Sequence, residues 1–346
     1  MHLIVALATA IAVLTGCASW DKPSTTTNLA RDLTHADSST VTWPARVGDL
    51  SEVEPVTAHA KPALPVELTD ADGNDVVVTD TSRILALDLY GTYTKTLRGL
   101  GLSDSIVGRT VSSTEASLAD RPLVTAGGHD INVEAVLNLH PTLVIVDHSI
   151  GPPEAIENIR AAGVPTVVMQ PTRSLSTLGQ DIRDLAAVVG LPQEGERLAE
   201  RSEKELTMAT DSIAAIAPQQ PLRMAFLYAR GTGGVFYILG QENGTNDLIS
   251  ALGGIDVASE AGIGAPSPAS PEALAKLNPD VFVMMTKGLE STGDIDGLLA
   301  RPGVANTSAG ANRRVLTLPD GDSLAFGPQT AELLLRAAQA IYGGSQ

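Results

Sequence analysis

The chain has 346 residues, room for about two domains, and its 43% hydrophobic content argues against wholesale disorder. Its 23 Lys and Arg against 40 Asp and Glu leave a net charge of −17, which repels phosphate backbones, and aromatics at 3% offer little base-stacking surface, so no nucleic-acid role is expected. Cys17 is the single cysteine, which excludes an internal disulfide and any zinc or iron–sulfur site built from several cysteines.

Leu3 to Leu14 is almost wholly apolar. It is too short to span a bilayer comfortably and fits the apolar region of an export signal. It runs into Leu14-Thr15-Gly16-Cys17, which resembles a bacterial lipobox: small residues admit a signal peptidase and the thiol accepts lipid. The start departs from the usual pattern, since Met1-His2 carries no Lys or Arg. Residues 1–17 are therefore expected as a lipoprotein signal, with Cys17 lipidated. Residues 18–62, rich in Ser, Thr, Ala, Pro and Asp, are expected as a flexible tether on the extracellular face of the cell membrane.

The folded part begins with Pro65 to Thr79, read as a hairpin about Asp72-Gly73-Asn74. Ile84 to Leu87, Ile106 to Gly108, Leu143 to Val146 and Pro165 to Met169 read as short strands. Tyr93 to Leu100, Val133 to Leu139 and Pro153 to Ala162 read as helices between them. Such alternation argues for parallel βαβ units. A long helix follows from about Gln193 to Ala217, with Leu198, Leu206, Ala209, Ile213 and Ile216 on one stripe. The alternation then restarts: strands at Met224 to Tyr228, Val235 to Leu239, Val281 to Met285 and Val315 to Leu318, helices at Thr245 to Leu252 and Gln329 to Ile341. The expected fold is α/β, with two Rossmann-like lobes, residues 63–190 and 219–346, joined by one long α-helix, 191–218, and a ligand cleft between them.

The lobes share a repeat. Glu134, Ala135, Leu139 and Pro141 precede the strand at 143, and Glu272, Ala273, Leu277 and Pro279 precede the strand at 281 in the same register. The lipobox, the tether, two α/β lobes and this signature together resemble the substrate-binding proteins of ABC importers of the helix-linked class, over about residues 65–342. These carry haem, siderophores or cobalamin to a permease and its ATPase.

Three histidines fall in the fold: His129, His140 and His148. His129 follows Gly127-Gly128, a loop able to approach a cleft closely. His140 ends a helix, where a cation complements the dipole. His148 follows a strand at its carboxyl end and rivals His129. Tyr228 and Arg230 lie two apart at the end of a strand, on one side of the chain, and run into Gly231-Thr232-Gly233-Gly234. A guanidinium beside a phenol favours the phenolate, a donor suited to ferric iron. The pairing resembles haem-binding lipoproteins of Gram-positive haem importers (HmuT-like proteins). That resemblance implies haem held between His129 and Tyr228 from opposite lobes, with Arg230 supporting the Tyr. Met285 is expected in the same cleft, with Tyr90, Tyr93 and Arg109 near the porphyrin or its propionates. Tyr237 and Tyr342 are expected in the core.

In the family one acid on each lobe pairs with permease arginines, which implies docking through Glu134 and Glu272; a Glu in a first helical turn also complements the dipole in its own right. An enzyme is the rival class, and neither a G-x-S-x-G elbow nor a P-loop occurs in the sequence. Within the binding class the alternatives are a ferric siderophore, cobalamin, or a metal ion held by His129, His140 and His148.

Overall fold

The computed structural model describes residues 24–34, 41–126 and 128–343. The expected signal segment and Cys17 lie outside the described residues. Each lobe is built on a sheet whose alternate residues feed two separate cores. In the first lobe Ile84–Leu87, Leu143–Asp147 and Thr166–Met169 pair in parallel, Ile84 opposite Leu143 and Val144 opposite Thr166. Ile84, Ala86, Leu143 and Ile145 join Leu97, Ile182 and Leu185 on one face. Leu85, Leu87, Val144 and Val146 join Val136, Ile156 and Ile159 on the other. A strand with both faces covered needs this unbroken apolar run. Val66–Thr69 and Asp75–Val78 form the expected hairpin, its turn tied by Asp70 Oδ1, which accepts from the backbone N–H groups of Asp72 and Asn74.

The second lobe carries, among the described residues, a seven-stranded sheet. Val281–Met285 lies between Val315–Leu318 and Arg223–Arg230, all parallel. Here too Met224 and Phe226 face one core, Ala225, Leu227 and Ala229 the other. Val235–Ile238 departs from the parallel expectation: it runs antiparallel to Arg223–Arg230. The reason is the connection. Residues 231–234 are too few for a parallel crossover, which needs a dozen or more.

The long helix runs from Pro192 to Ile216. Leu198 and Ala199 sit in a first-lobe core and Ala209 and Ile213 in a second-lobe core, while Leu206 packs against both. One amphipathic stripe thus fastens both lobes to one stiff rod. The repeated segments are also realised as equivalents. Asn132 caps Val133–Asn138 and Ser270 caps Pro271–Leu277, each side chain accepting from the N–H three residues on. His140 and Asn278, the residues before the two prolines, both take left-handed backbone, φ 46° and 39°.

The tether expectation for 18–62 is corrected over its described part. Thr25–Asp32 is a helix, and Leu33 and Val47 join the second-lobe core. Ala45–Arg46 adds a parallel strand beside Val315–Leu318, and Val47 N–H donates to the Thr317 carbonyl at 2.9 Å. Ser51 N–H donates to Glu332 Oε1. The chain then crosses to the first lobe: Val53 enters its core, Glu52 pairs with Arg98 at 2.6 Å, and Val56 N–H donates to the Gly99 carbonyl. The polar composition suggested solvent, but a few apolar residues at the right spacing are enough to strap this segment across both lobes.

Candidate functional site

A cleft of about 610 Å³ opens between the lobes, within the range of small-ligand sites. From the first lobe, Tyr90 and His129 line it. His129 lies in the turn between Thr125–Ala126 and Asp130–Ile131, an antiparallel pair. Gly128 before it has φ 99°, a conformation open to glycine. The His129 carbonyl accepts from Gly151 N–H at 3.2 Å, which anchors the turn. Among the described residues the imidazole itself makes no hydrogen bond, and the residue is exposed. It is held in place by its backbone and left with its ring nitrogens free.

From the second lobe, Tyr228, Arg230, Tyr237 and Met285 line the cleft. Tyr228 and Tyr237 face each other across the antiparallel pair, so both rings stand on one face. The Arg230 guanidinium lies over the Tyr228 ring, 4.8 Å from its centroid, a cation–π distance. It also approaches Met285 Sδ at 3.4 Å and donates to Asp320 Oδ1 at 3.1 Å. The other oxygen of Asp320 accepts from Lys287 N–H at 2.9 Å. Asp320 therefore ties the end of the central strand to the start of the helix Thr286–Ser291.

Tyr90 has a floor of its own. The Arg173 guanidinium lies 4.4 Å from its ring centroid, and pairs with Asp147 and, at 3.9 Å, with Asp88. Tyr93 donates its hydroxyl to Asp147. Burial pushes the Asp88 carboxyl up to about 6, against the pull of Arg173 and with the push of Asp147. The Tyr93 phenol is likewise driven well above its ordinary value by burial.

The structure sorts the sequence candidates. His129, Tyr228, Arg230, Met285 and Tyr90 meet in one cleft. Arg109 does not line it; its backbone pairs with residues 122–124 on both sides, and its guanidinium turns to the Thr110 carbonyl. Tyr93 is buried in the first-lobe core rather than exposed in the cleft. His148 Nε2 hydrogen-bonds Asp72 Oδ1, the acceptor on the hairpin turn, at 2.8 Å, and His140 is exposed, its carbonyl taken by Arg83; neither lines the cleft. Among the described residues no group of three or more His, Cys, Asp or Glu is placed to hold a metal ion. Tyr237, expected in the core, is 37% exposed on the cleft face, because its strand has one open side. Tyr342 is in the core as expected, donating to the Leu252 carbonyl. Glu134 and Glu272 are exposed at equivalent first turns. The Glu272 carboxyl is held below its usual range by its own backbone N–H and by Ser270. Sequence reasoning missed Asp320, Lys287 and Arg173. The first two follow from the sheet order, and Arg173 from its place just past a strand's carboxyl end.

Comparison with protein families matches residues 88–321 to the periplasmic binding proteins. The chain belongs to that family. As a periplasmic binding protein it is a carrier acting outside the cytoplasm, not an enzyme. A solved structure of the heme-binding protein HmuT is 65% identical, covers 89% of this chain and 99% of its own, and superposes with a TM-score of 0.87. The periplasmic heme-binding protein RhuT from Roseiflexus sp. RS-1, in apo form, is 38% identical over 77% of this chain and all of its own, with a TM-score of 0.71. The periplasmic heme-binding protein BhuT, in complex with two hemes, is 27% identical over 75% of this chain and 98% of its own, with a TM-score of 0.66. No curated protein matches. No helix among the described residues is long and apolar enough to cross a membrane.

Proposed function

We propose that this periplasmic binding protein captures haem in the interlobe cleft and delivers it to an ABC-type permease. The observation that carries the reading is the meeting of a free imidazole from one lobe, His129, with a phenol–guanidinium pair from the other, Tyr228 and Arg230. Haem iron accepts His and Tyr as axial ligands, and the apolar walls at Leu89, Val111 and Leu239 suit a macrocycle. Variants of HmuT have been solved with a His, a Tyr or an Arg replaced by Ala. Those positions are separated by 99 residues and then by two, the separations of His129, Tyr228 and Arg230 here.

In this reading His129 and Tyr228 ligate the iron from opposite faces. Arg230 lies against the Tyr228 ring and offsets the charge of a phenolate. Tyr90 and Met285 contact the porphyrin. A lipid on Cys17 holds the protein at the membrane, and the loaded protein docks by Glu134 and Glu272, one exposed acid per lobe. Exposed ion pairs of this kind set register and on-rate more than affinity.

The test is an absorption titration of the full chain with ferric haem, beside His129→Ala, Tyr228→Ala and His148→Ala. Saturable one-to-one binding, with a Soret band altered in the first two variants and unchanged in the third, is the expected result. Loss of the band only in His148→Ala would move the ligand, and no saturable spectrum at all would send the assignment to siderophores or cobalamin.

A further inference from the structure

The cleft must accept an anion in a protein that repels anions. Haem carries ionised propionates, and the chain carries a net charge of −17. A carboxylate entering the cleft therefore needs a local cation, and a cation already neutralised serves poorly. Among the described residues, two basic side chains besides His129 line the cleft, Arg230 and Lys287. Arg230 is spoken for, since its guanidinium is paired with Asp320 at 3.1 Å and stacked on Tyr228. Arg173 is spent beneath Tyr90 on Asp147 and Asp88, and Arg109 is outside the cleft.

Lys287 differs on each point. It is exposed on the cleft face. Among the described residues its ammonium makes no ion pair, although Glu290 stands one turn further on; Glu290 lies 3.9 Å from Arg46 instead. Its backbone is not loose, because Lys287 N–H is held by Asp320 Oδ2. Asp320, the acid lining this wall, is thus engaged by both of its oxygens, one to the Arg230 side chain and one to the Lys287 backbone. The arrangement cancels one cation and leaves the next free at a fixed place beside the Tyr228–Arg230 pair.

We infer that Lys287 is the carboxylate-binding residue of the cleft, receiving a propionate of the haem and so setting which way round the ring sits. This rests on the haem reading above. It reassigns to the second lobe the propionate contact expected of Arg109. A charge-assisted hydrogen bond formed as the ligand displaces water contributes enough to change affinity by about tenfold.

The experiment compares ferric protoporphyrin IX with its dimethyl ester, whose carboxylates are masked, on the full chain and on Lys287→Met and Lys287→Arg. The expected result is that Lys287→Met binds the free acid about tenfold more weakly, binds the ester as the unchanged protein does, and keeps the Soret position in both. Lys287→Arg is expected to restore the affinity. An equal loss for acid and ester, or no loss for either, overturns the assignment of Lys287 while leaving haem binding intact. A wild-type chain that binds neither porphyrin overturns the haem reading itself.

Discussion

Arg230 is held between the Tyr228 ring, 4.8 Å away, and Asp320 at 3.1 Å. The carboxylate fixes where the guanidinium sits, and the guanidinium fixes what charge the Tyr228 ring meets. Asp320→Asn keeps the shape and removes the charge. It is expected to free Arg230, shift the absorption of the haem complex and speed haem loss several-fold, while Asp320→Glu restores part of the effect. Stopped-flow transfer of haem to an apo-acceptor measures the loss, and an unchanged rate in Asp320→Asn would show that Arg230 needs no anchor.

How the site emerges from the chain explains what was legible. Tyr228 and Arg230 could be read because period 2 on a strand and the glycines after it place both on one side at an element's end. His129 could be read from the glycines beside it. Asp320 could not, since it lies 90 residues beyond Arg230 and reaches it only because Val315–Leu318 pairs next to Val281–Met285, a sheet order that periodicity does not encode. Tyr237 was misplaced for the same reason: whether a strand residue is core or cleft depends on what covers the sheet at that point. The strap over 41–62 was hidden because its burial rests on scattered residues, Ala45, Val47 and Val53, within a polar run.

Lys95 crosses the lobe boundary in a nearly dry setting. Its ammonium donates to the Gly321 carbonyl at 2.9 Å and lies 3.5 Å from Asp322 and 3.9 Å from Glu115, all three side chains being less than a tenth exposed. Lys95→Met leaves two buried acids without their cation, and is expected to lower stability by about 3 kcal/mol. Adding Asp322→Asn and Glu115→Gln removes the stranded charges and is expected to recover much of that loss. Urea midpoints of the three chains measure it; a single variant as stable as the unchanged protein would show that the triad contributes nothing net.

The strap makes a prediction about chain length. A chain beginning at residue 63 loses the pairing of Ala45 with Leu316 and the buried Val47 and Val53. Fully burying a Val contributes about 1.5–3 kcal/mol, so a loss of several kcal/mol is expected, with faster amide exchange along Val315–Leu318. Exchange rates on that strand decide the point: if they match those of the full chain, the strap rides on the surface without stabilising it.

Asp88 gives the protein a stability profile opposite to that of an ordinary ion-paired acid. Burial raises its carboxyl from 3.8 to about 6, so between those values the folded protein holds a proton that the unfolded chain has released. Stability from this group is then fully present at pH below about 4 and declines as pH rises through about 6. Asp147, Arg173, Tyr93 and Lys95 surround it, and Asp147 keeps Arg173 paired when Asp88 is neutral. Asp88→Asn keeps an oxygen for the Thr92 N–H, now bonded to Asp88 Oδ2, without the charge. The variant is therefore expected to gain on the unchanged protein steadily from about pH 4 to about pH 6 and to hold a constant lead above that. Denaturant midpoints of both chains across this interval give the difference directly, and a lead that shrinks with rising pH would mean that Arg173 keeps Asp88 ionised throughout.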